Sequence, residues 1–488
     1  MPAASNTGSV RLADQQSAST ILHRILAEAV TAFPAALSKA ALPEDPQAFR
    51  NRYADVLPRF EAARLASRER TAIARAMAAA SRRSLEWAGP AGVVPLTHAL
   101  ETAATPLPLA QLEPGADPGW APQLTYRGER WSAPQIPALA ERLVTRNVIT
   151  PAAADALTWL AEQQLQQGNL TLAGRRIVML GANAEMAPTR AWLEAGAEVL
   201  WLDVVPPPAD WLASFRPAGR LCWPRQGGAD LLTAPHSILA TIVEFADGRP
   251  VDLGLYAYAP GQAREMRLTG AMNAIVDALP RALIASVTLL VSPTTPTALT
   301  PDDQQRVARR RQSRPAWEAM LAAAGLLGRG GGYEAVGDAA ATRTVVSIQG
   351  ASYQAAQYLG KIMTAECWAT HGAPDEDAPQ PLRVSANSAA ITRTRSLNHP
   401  VFAAAFGGAG AFGVESFTPR QSRTVNGLLA VRDWLHPQAP VPGAVRVHGG
   451  LHTLPYPLEP ALRVAAAFGF ARSPRLLRGL LRTSDRSA

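Results

Sequence analysis

Apolar and polar positions change period along this chain. From Arg175 to Asp203 a short apolar run, Ile177 to Leu180, is broken by Gly181. Met186, Trp192 and Leu193 then recur at helical spacing, Gly196 stops that pattern, and a second apolar run extends from Val199 to Val204. Strand, glycine turn, helix and strand form a βαβ unit of a parallel sheet. The alternation continues with a helix around Trp211, a weak strand near Leu221 and a helix from Pro235 to Phe245. A strand from Val251 to Ala257, a helix from Glu265 to Leu283 and an apolar strand from Val287 to Val291, ending at Ser292, follow. Strands alternating with helices predict an α/β protein with a doubly wound parallel sheet.

The flanks read differently. Residues 1–17 are polar enough to be a disordered tail, and Ser19 to about Leu85 is Ala-rich and helical in period, with Pro34, Pro43, Pro46 and Pro58 cutting it into several helices. Gly89 to Gly119 is rich in proline and glycine, a connector. Leu124 to Trp131 suggests a hairpin turning at Arg127-Gly128, and helices are expected over Pro137 to Asn147 and Pro151 to Gln167. Beyond Ser292 the pattern predicts a charged helix from Pro301 to Leu327 and a short strand from Thr344 to Ile348. A helix from Ser352 to Thr370, an acidic loop from Pro374 to Pro381 and a strand from Leu382 come next. A Gly/Ala/Phe segment, a helix from Pro419 to Leu435 and a basic tail complete the chain. The expected divisions are an α-helical N-terminal extension over 1–120, a connector with helices over 121–172, the sheet domain over 173–436 and the basic tail over 437–488.

The 488 residues are 48% hydrophobic, enough for a substantial core. The polar N-terminus lacks an apolar signal core and no apolar run reaches the ~18 residues of a membrane span, so a cytoplasmic protein is expected. Cys222 and Cys367 are too far apart for a metal spacing or a disulfide framework. The net charge is +8, yet only Lys39 and Lys361 of the 47 basic residues are lysines. Without a zinc-finger spacing or an aromatic–basic motif, nucleic acid is not an expected partner.

The order of parts from about Gly174 to Thr394 resembles a short-chain dehydrogenase/reductase. Gly181 matches the first glycine after the first strand. Asp203 lies 22 positions later (203 − 181), near the ~20 expected of a ribose-binding acid in a Rossmann-like fold. Asp230-Leu-Leu-Thr233 resembles the family's adenine-contacting region, and Tyr258-Ala-Pro-Gly261 stands at its Asn-Asn-Ala-Gly. Arg267-Leu-Thr-Gly270 resembles the Asn-Leu-x-Gly of the next helix. Ser292 ends the strand that carries the catalytic serine, Tyr353 opens the helix that carries the tyrosine, and Arg383-Val-Ser-Ala-Asn387 with Ile391-Thr-Arg-Thr394 resembles the nicotinamide-side strand and loop. The resemblance implies an oxidoreductase acting on a carbonyl, hydroxyl or conjugated carbonyl of an apolar small molecule. Its nicotinamide cofactor would be NAD or NADP, with NAD favoured by Asp203. Ser292, Tyr353 and Lys361 would be catalytic, and Gly181, Asn183, Asp203, Asp230 and Thr394 would hold the cofactor. Arg267 would clamp a substrate or cofactor anion, and a homo-oligomer is expected by analogy.

The departures point to a second reading. Only the first glycine of the turn remains, and Glu185 falls where the pyrophosphate would approach backbone N–H groups. Gln357 occupies the usual Tyr-x-x-x-Lys lysine position. Lys361 is eight residues beyond Tyr353, about 80° round an α-helix, and Tyr358 competes as its neighbour. The alternative is a cofactor-free Rossmann-like protein: a non-redox lyase or isomerase, or a binding or scaffold module. His448-Gly-Gly-Leu-His452 is read as a loop capping the site and not as a metal centre. The tail from Pro457 to Arg482 is basic and amphipathic, which would suit peripheral contact with an anionic membrane.

Overall fold

The protein's structure, a computed structural model, describes residues 8–116, 119–259, 261, 263–370, 381–388, 390–397, 400–436 and 446–476. At its centre is a seven-stranded, mostly parallel sheet. Its strands are β1 (Leu109–Leu112), β2 (Arg176–Leu180), β3 (Glu198–Leu202), β4 (Leu221–Pro224), β5 (Val251–Leu255), β6 (Ile284–Val291) and β7 (Val384–Ser388). Their spatial order is β7-β6-β5-β2-β3-β4-β1, and only β1 runs antiparallel, against β4. In β2 and β5 every residue is buried, which explains why both are mainly apolar, with Arg176 and Asp252 as their buried charges.

Alternate residues of each strand feed two different cores, as the two-residue period of a strand requires. Val178, Leu180, Leu200, Leu253 and Leu289 face one core; Ile177, Met179, Val199, Trp201 and Leu290 face the other. The first core is shared with α1 (Ala18–Ala32), α2 (Pro46–Ala66) and α3 (Arg70–Arg83). The N-terminal helices therefore form one layer of the sheet's own covering. The helices α4 (Pro151–Gln167), α5 (Thr189–Glu194) and α10 (Pro419–Leu435) cover the opposite face. Trp192, wholly buried, is pinned there between Tyr256 and Trp434.

Several local expectations are corrected. Within the expected N-terminal tail, Ser9–Leu12 pairs with Leu85–Gly89, and Val10 is fully buried. Pro58 lies inside α2 without ending it. The connector contains a strand (Gly92–Pro95), a helix (Leu96–Leu100) and the edge strand β1. The expected strand from Thr344 to Ile348 is replaced by a hairpin of Tyr333–Val336 and Ala339–Thr342. The charged helix is broken at Arg314-Pro315 into Pro301–Gln312 and Ala316–Ala323. Met186 precedes α5, which begins only at Thr189.

The hairpin of Gln123–Tyr126 and Glu129–Ser132 does turn at Arg127-Gly128, both at positive φ (50° and 85°), which suits a tight hairpin turn. The expected acidic loop lies largely outside the described residues.

The basic tail is integrated into the fold as far as it is described. Its helix α11 (Leu458–Arg472) crosses α9 (Pro400–Gly408) so closely that a Cβ on Gly408 would lie 1.8 Å from the carbonyl oxygen of Ala465. Ala461 and Ala465 are buried, so part of the apolar face that would have met a membrane is spent on this packing. Arg478 and Arg482 lie outside the described residues. No single described helix is long and apolar enough to cross a membrane.

Candidate functional site

The strand β6 delivers Ser292 to its C-terminal end, and the helical segment α8 (residues 351–370) passes alongside. Ala355–Met363 within α8 is wound as a π-helix, whose i→i+5 winding departs from the α period. That winding replaces the 80° separation expected from an α-helix. It lets Tyr353, Gln357 and Lys361 reach one polar cluster, while Tyr358 faces the N-terminal helices.

Ser292 is buried. Its hydroxyl meets Thr294 Oγ1 at 2.8 Å and the Tyr353 side chain. Thr294 Oγ1 continues the chain to Gln349 Oε1 at 2.6 Å. The backbone N–H of Ser292 donates to Gln357 Oε1 (2.9 Å), and Gln357 Nε2 donates to Glu265 Oε1 (3.2 Å). Lys361 Nζ lies 3.7 Å from the same carboxylate, whose other oxygen accepts the Ala259 N–H at 3.2 Å. The expected serine, tyrosine and lysine thus belong to one cluster, with Glu265 and Gln357 standing between the lysine and the hydroxyls.

Glu265 changes the electrostatics that a lone lysine would provide. Burial drives its pKa up, and burial drives the Lys361 pKa down. Both shifts favour the uncharged forms. The phenol of Tyr353 is pushed upward by burial and by Glu265, only partly offset by its hydrogen bond to Ser292. It therefore stays protonated at neutral pH, with an O–H available to donate.

Beside this cluster is a narrow apolar cavity of about 70 Å³. Phe402, Phe406 and Phe412 line it with Leu451 and Leu454, and Thr294 and Gln349 form a polar part of its wall. Leu451 and Leu454 come from the loop carrying His448 and His452, which therefore walls this cavity. The two imidazoles are buried with ring centroids 4.7 Å apart, and His452 Nε2 is 3.7 Å from Asp303 Oδ1. Desolvation lowers both pKa values, that of His452 to about 3. Among the described residues no group of three His, Cys, Asp or Glu side chains is arranged to hold a metal ion.

The expected cofactor residues are committed to their own backbone. Gly181 has φ of +89°, and a Cβ there would lie 2.2 Å from the Ala257 nitrogen, so glycine is required for β2 and the chain leaving β5 to approach. Asp203 Oδ2 accepts the Asn183 N–H at 2.9 Å, and Oδ1 accepts that of Val205 at 3.2 Å. Asp230 Oδ1 accepts the Leu232 N–H at 2.8 Å. Glu185 spans to Arg395, accepting its backbone N–H at 3.1 Å. Thr394 lies beside that contact, with its N–H on the Thr392 carbonyl.

A pyrophosphate needs free N–H groups at a helix start. Here an irregular stretch separates Gly181 from α5, a carboxylate occupies the turn, and Thr189 Oγ1 is turned back to the Ala182 carbonyl at 2.8 Å. These residues do not form a pyrophosphate cradle. Arg267 reaches the Val10 carbonyl at 3.4 Å, tying α7 (Arg264–Ala278) to the N-terminal strand.

Glu265, Thr294 and Gln349 were not singled out by the sequence. In the sequence Glu265 marks only the start of a helix, and the one hint was Gln357 at the usual lysine position. No family model, curated protein or solved structure matches the chain.

Proposed function

We propose that this chain has a doubly wound, Rossmann-like fold and performs cofactor-independent acid–base chemistry at a carbonyl of an apolar small molecule, as a non-redox isomerase or lyase. The observation that carries the reading is the contact of Tyr353 with Ser292 beside an apolar cavity. Tyr353 donates to the substrate oxygen and Ser292 orients it, an arrangement that stabilises developing negative charge. Glu265 is the carboxylate of the cluster, and burial raises its pKa, the direction that suits a group exchanging protons. In such a step a C–H proton passes to a base, the electron pair moves towards oxygen, and a proton returns at carbon.

The second reading is the nicotinamide-dependent oxidoreductase of short-chain dehydrogenase type. It is favoured by the order of the six parallel strands, third-second-first-fourth-fifth-sixth from one edge, the order of dinucleotide-binding sheets.

One experiment separates the two: thermal-shift titration with NAD, NADH, NADP and NADPH, alongside deuterium exchange at the α-carbon of apolar cyclic ketones. The expected result is no dinucleotide shift, with exchange lost in Tyr353→Phe. A ligand at ~100 times its Kd stabilises by about 2.7 kcal/mol. A shift of that size with NAD, abolished in Asp203→Ala, would replace the first reading by the second.

A further inference from the structure

The second piece of the broken charged helix, Ala316–Ala323, has its polarity reversed. Its one charged residue, Glu318, is buried at 7% exposure, whereas Ala316, Met320 and Ala323 stand in water. Those three recur at i, i+4 and i+7, so they share one face of the helix. Met320 is 72% exposed, and Leu326, in the turn that follows, is 57% exposed. That turn is held by backbone bonds, from the Ala324 N–H to the Met320 carbonyl and from the Leu326 N–H to the Leu321 carbonyl, both 2.9 Å. The opposite face is already spent, with Trp317 meeting Phe412 and Phe468 edge-on at 5.4 and 5.2 Å. A helix that is apolar on both sides is normally buried on both, so the face of Met320 calls for a cover.

The surroundings say which cover. Between Asp303 and Glu334 the chain carries Arg306, Arg309, Arg310, Arg311, Arg314 and Arg329 against a single acid, the buried Glu318. Arg306 and Arg309 share Asp302, and Arg310 is turned inward to the carbonyls of Gly450 and Phe412. Arg311 and Arg329 flank the apolar face along the chain; both are exposed, and among the described residues neither enters a salt bridge. The helix α11, which touches Trp317 through Phe468, adds the exposed Arg472 one turn further on. A second copy of the chain would set these cations against its own. An apolar face edged by arginines fits a surface that offers hydrocarbon and negative charge together, which is a bilayer containing acidic phospholipid.

We propose that Ala316–Ala323 and the turn through Leu326 dock the protein on an anionic membrane, with Met320 and Leu326 entering the acyl boundary and Arg311 and Arg329 on the headgroups. This surface is separate from the part of α11 that packs on α9. The docking does not depend on the proposed reaction, although Trp317 connects it to Phe412 in the wall of the apolar cavity. An apolar molecule dissolved in the bilayer would then lie close to that wall.

The test is co-sedimentation of the full chain with vesicles of phosphatidylcholine alone and of an equimolar mixture with phosphatidylglycerol, at low and at high salt. Binding is expected to the mixed vesicles, weakening with salt, and far less to phosphatidylcholine alone. Arg311→Gln and Arg329→Gln are each expected to weaken it about fivefold, and Met320→Asp/Leu326→Asp to abolish it. All four side chains are exposed, so these variants should melt as the parent does. Cys222 and Cys367 are buried, so Met320→Cys can be labelled selectively with a polarity-sensitive dye, whose emission is expected to shift to the blue on the mixed vesicles.

Failure of the cooperatively folded protein to bind the mixed vesicles would overturn the proposal. So would binding that survives Met320→Asp/Leu326→Asp, or a dye at position 320 that stays in water on bound vesicles. Equal binding to phosphatidylcholine alone would overturn the part given to the arginines. A dimer that Met320→Asp dissociates would give the face to a second copy and overturn the membrane assignment.

Discussion

Tyr353 and Tyr358 are carried by the same helical segment, yet one meets Ser292 and the other donates to Glu61 at 2.6 Å. Around Tyr358 each charge is answered. Arg64, fully buried, bridges Glu61 at 2.8 Å and Glu366 at 3.0 Å, and Arg70 adds a second contact to Glu366. Burial alone would raise the Glu366 pKa, but the two guanidiniums outweigh it and hold it low. Towards the Ser292 side the polar groups are less complete. Gln354 Oε1, His448 Nδ1, Asp303 Oδ1 and both ring nitrogens of His452 have no hydrogen-bond partner among the described residues. A closed network fixes a helix in place, whereas unspent donors and acceptors are what a ligand needs.

The contrast is broken most severely at its closed end. Arg64→Met would leave Glu61 buried without its cation and Glu366 with Arg70 alone, and should cost about 3–5 kcal/mol, read by urea unfolding. A loss under ~1 kcal/mol would show that water reaches those carboxylates.

Acid is expected to act next, through the histidines. Both imidazoles have folded pKa values below the ordinary ~6.5, so the unfolded chain takes up their protons first. The stability these sites confer is present above about pH 6.5 and falls with pH, by about 1.4 kcal/mol per unit for each. For His452 the decline ends near pH 3. Urea midpoints measured across this range should be flatter in His452→Gln; an unchanged slope would sink the assignment.

The tyrosines sharpen the comparison with smaller effects. Tyr358→Phe removes a hydrogen bond to a charged group and should cost about 1.5–3 kcal/mol. Tyr353→Phe should cost only about 0.5–1.5 kcal/mol while removing activity. Equal stability losses with activity retained in both would mean that Tyr353 is also a packing residue.

The sheet was legible because fully buried strands appear as mainly apolar runs bounded by turns, as at Ile177 to Leu180 and, with Thr288 inside it, Val287 to Val291. The edge strand Leu109–Leu112 was not, being three partly covered residues and the exposed Gln111 in a proline-rich stretch. Ser292, Tyr353 and Lys361 could be picked out by their order along the chain. Their electrostatic setting could not, because it depends on Glu265, a carboxylate that only packing removes from water. The π-helical winding was equally hidden, since local sequence carries no signal for it and it redirects three side chains. The N-terminal strand was missed because Ser-Val-Arg-Leu is short and adjoins a polar stretch.

The pairing of Arg64 with Glu366 has a consequence for synthesis. The two residues are 302 positions apart. On a ribosome adding ~5–20 residues per second, the N-terminal helices emerge well before the carboxylate and the sheet face that complete their burial. For that interval Arg64 can have Glu61 but not Glu366, and the apolar faces of α1 and α2 lack the sheet. The nascent chain must hold its first helices in waiting, exposed to chaperones, until residues 351–370 arrive to close the layer.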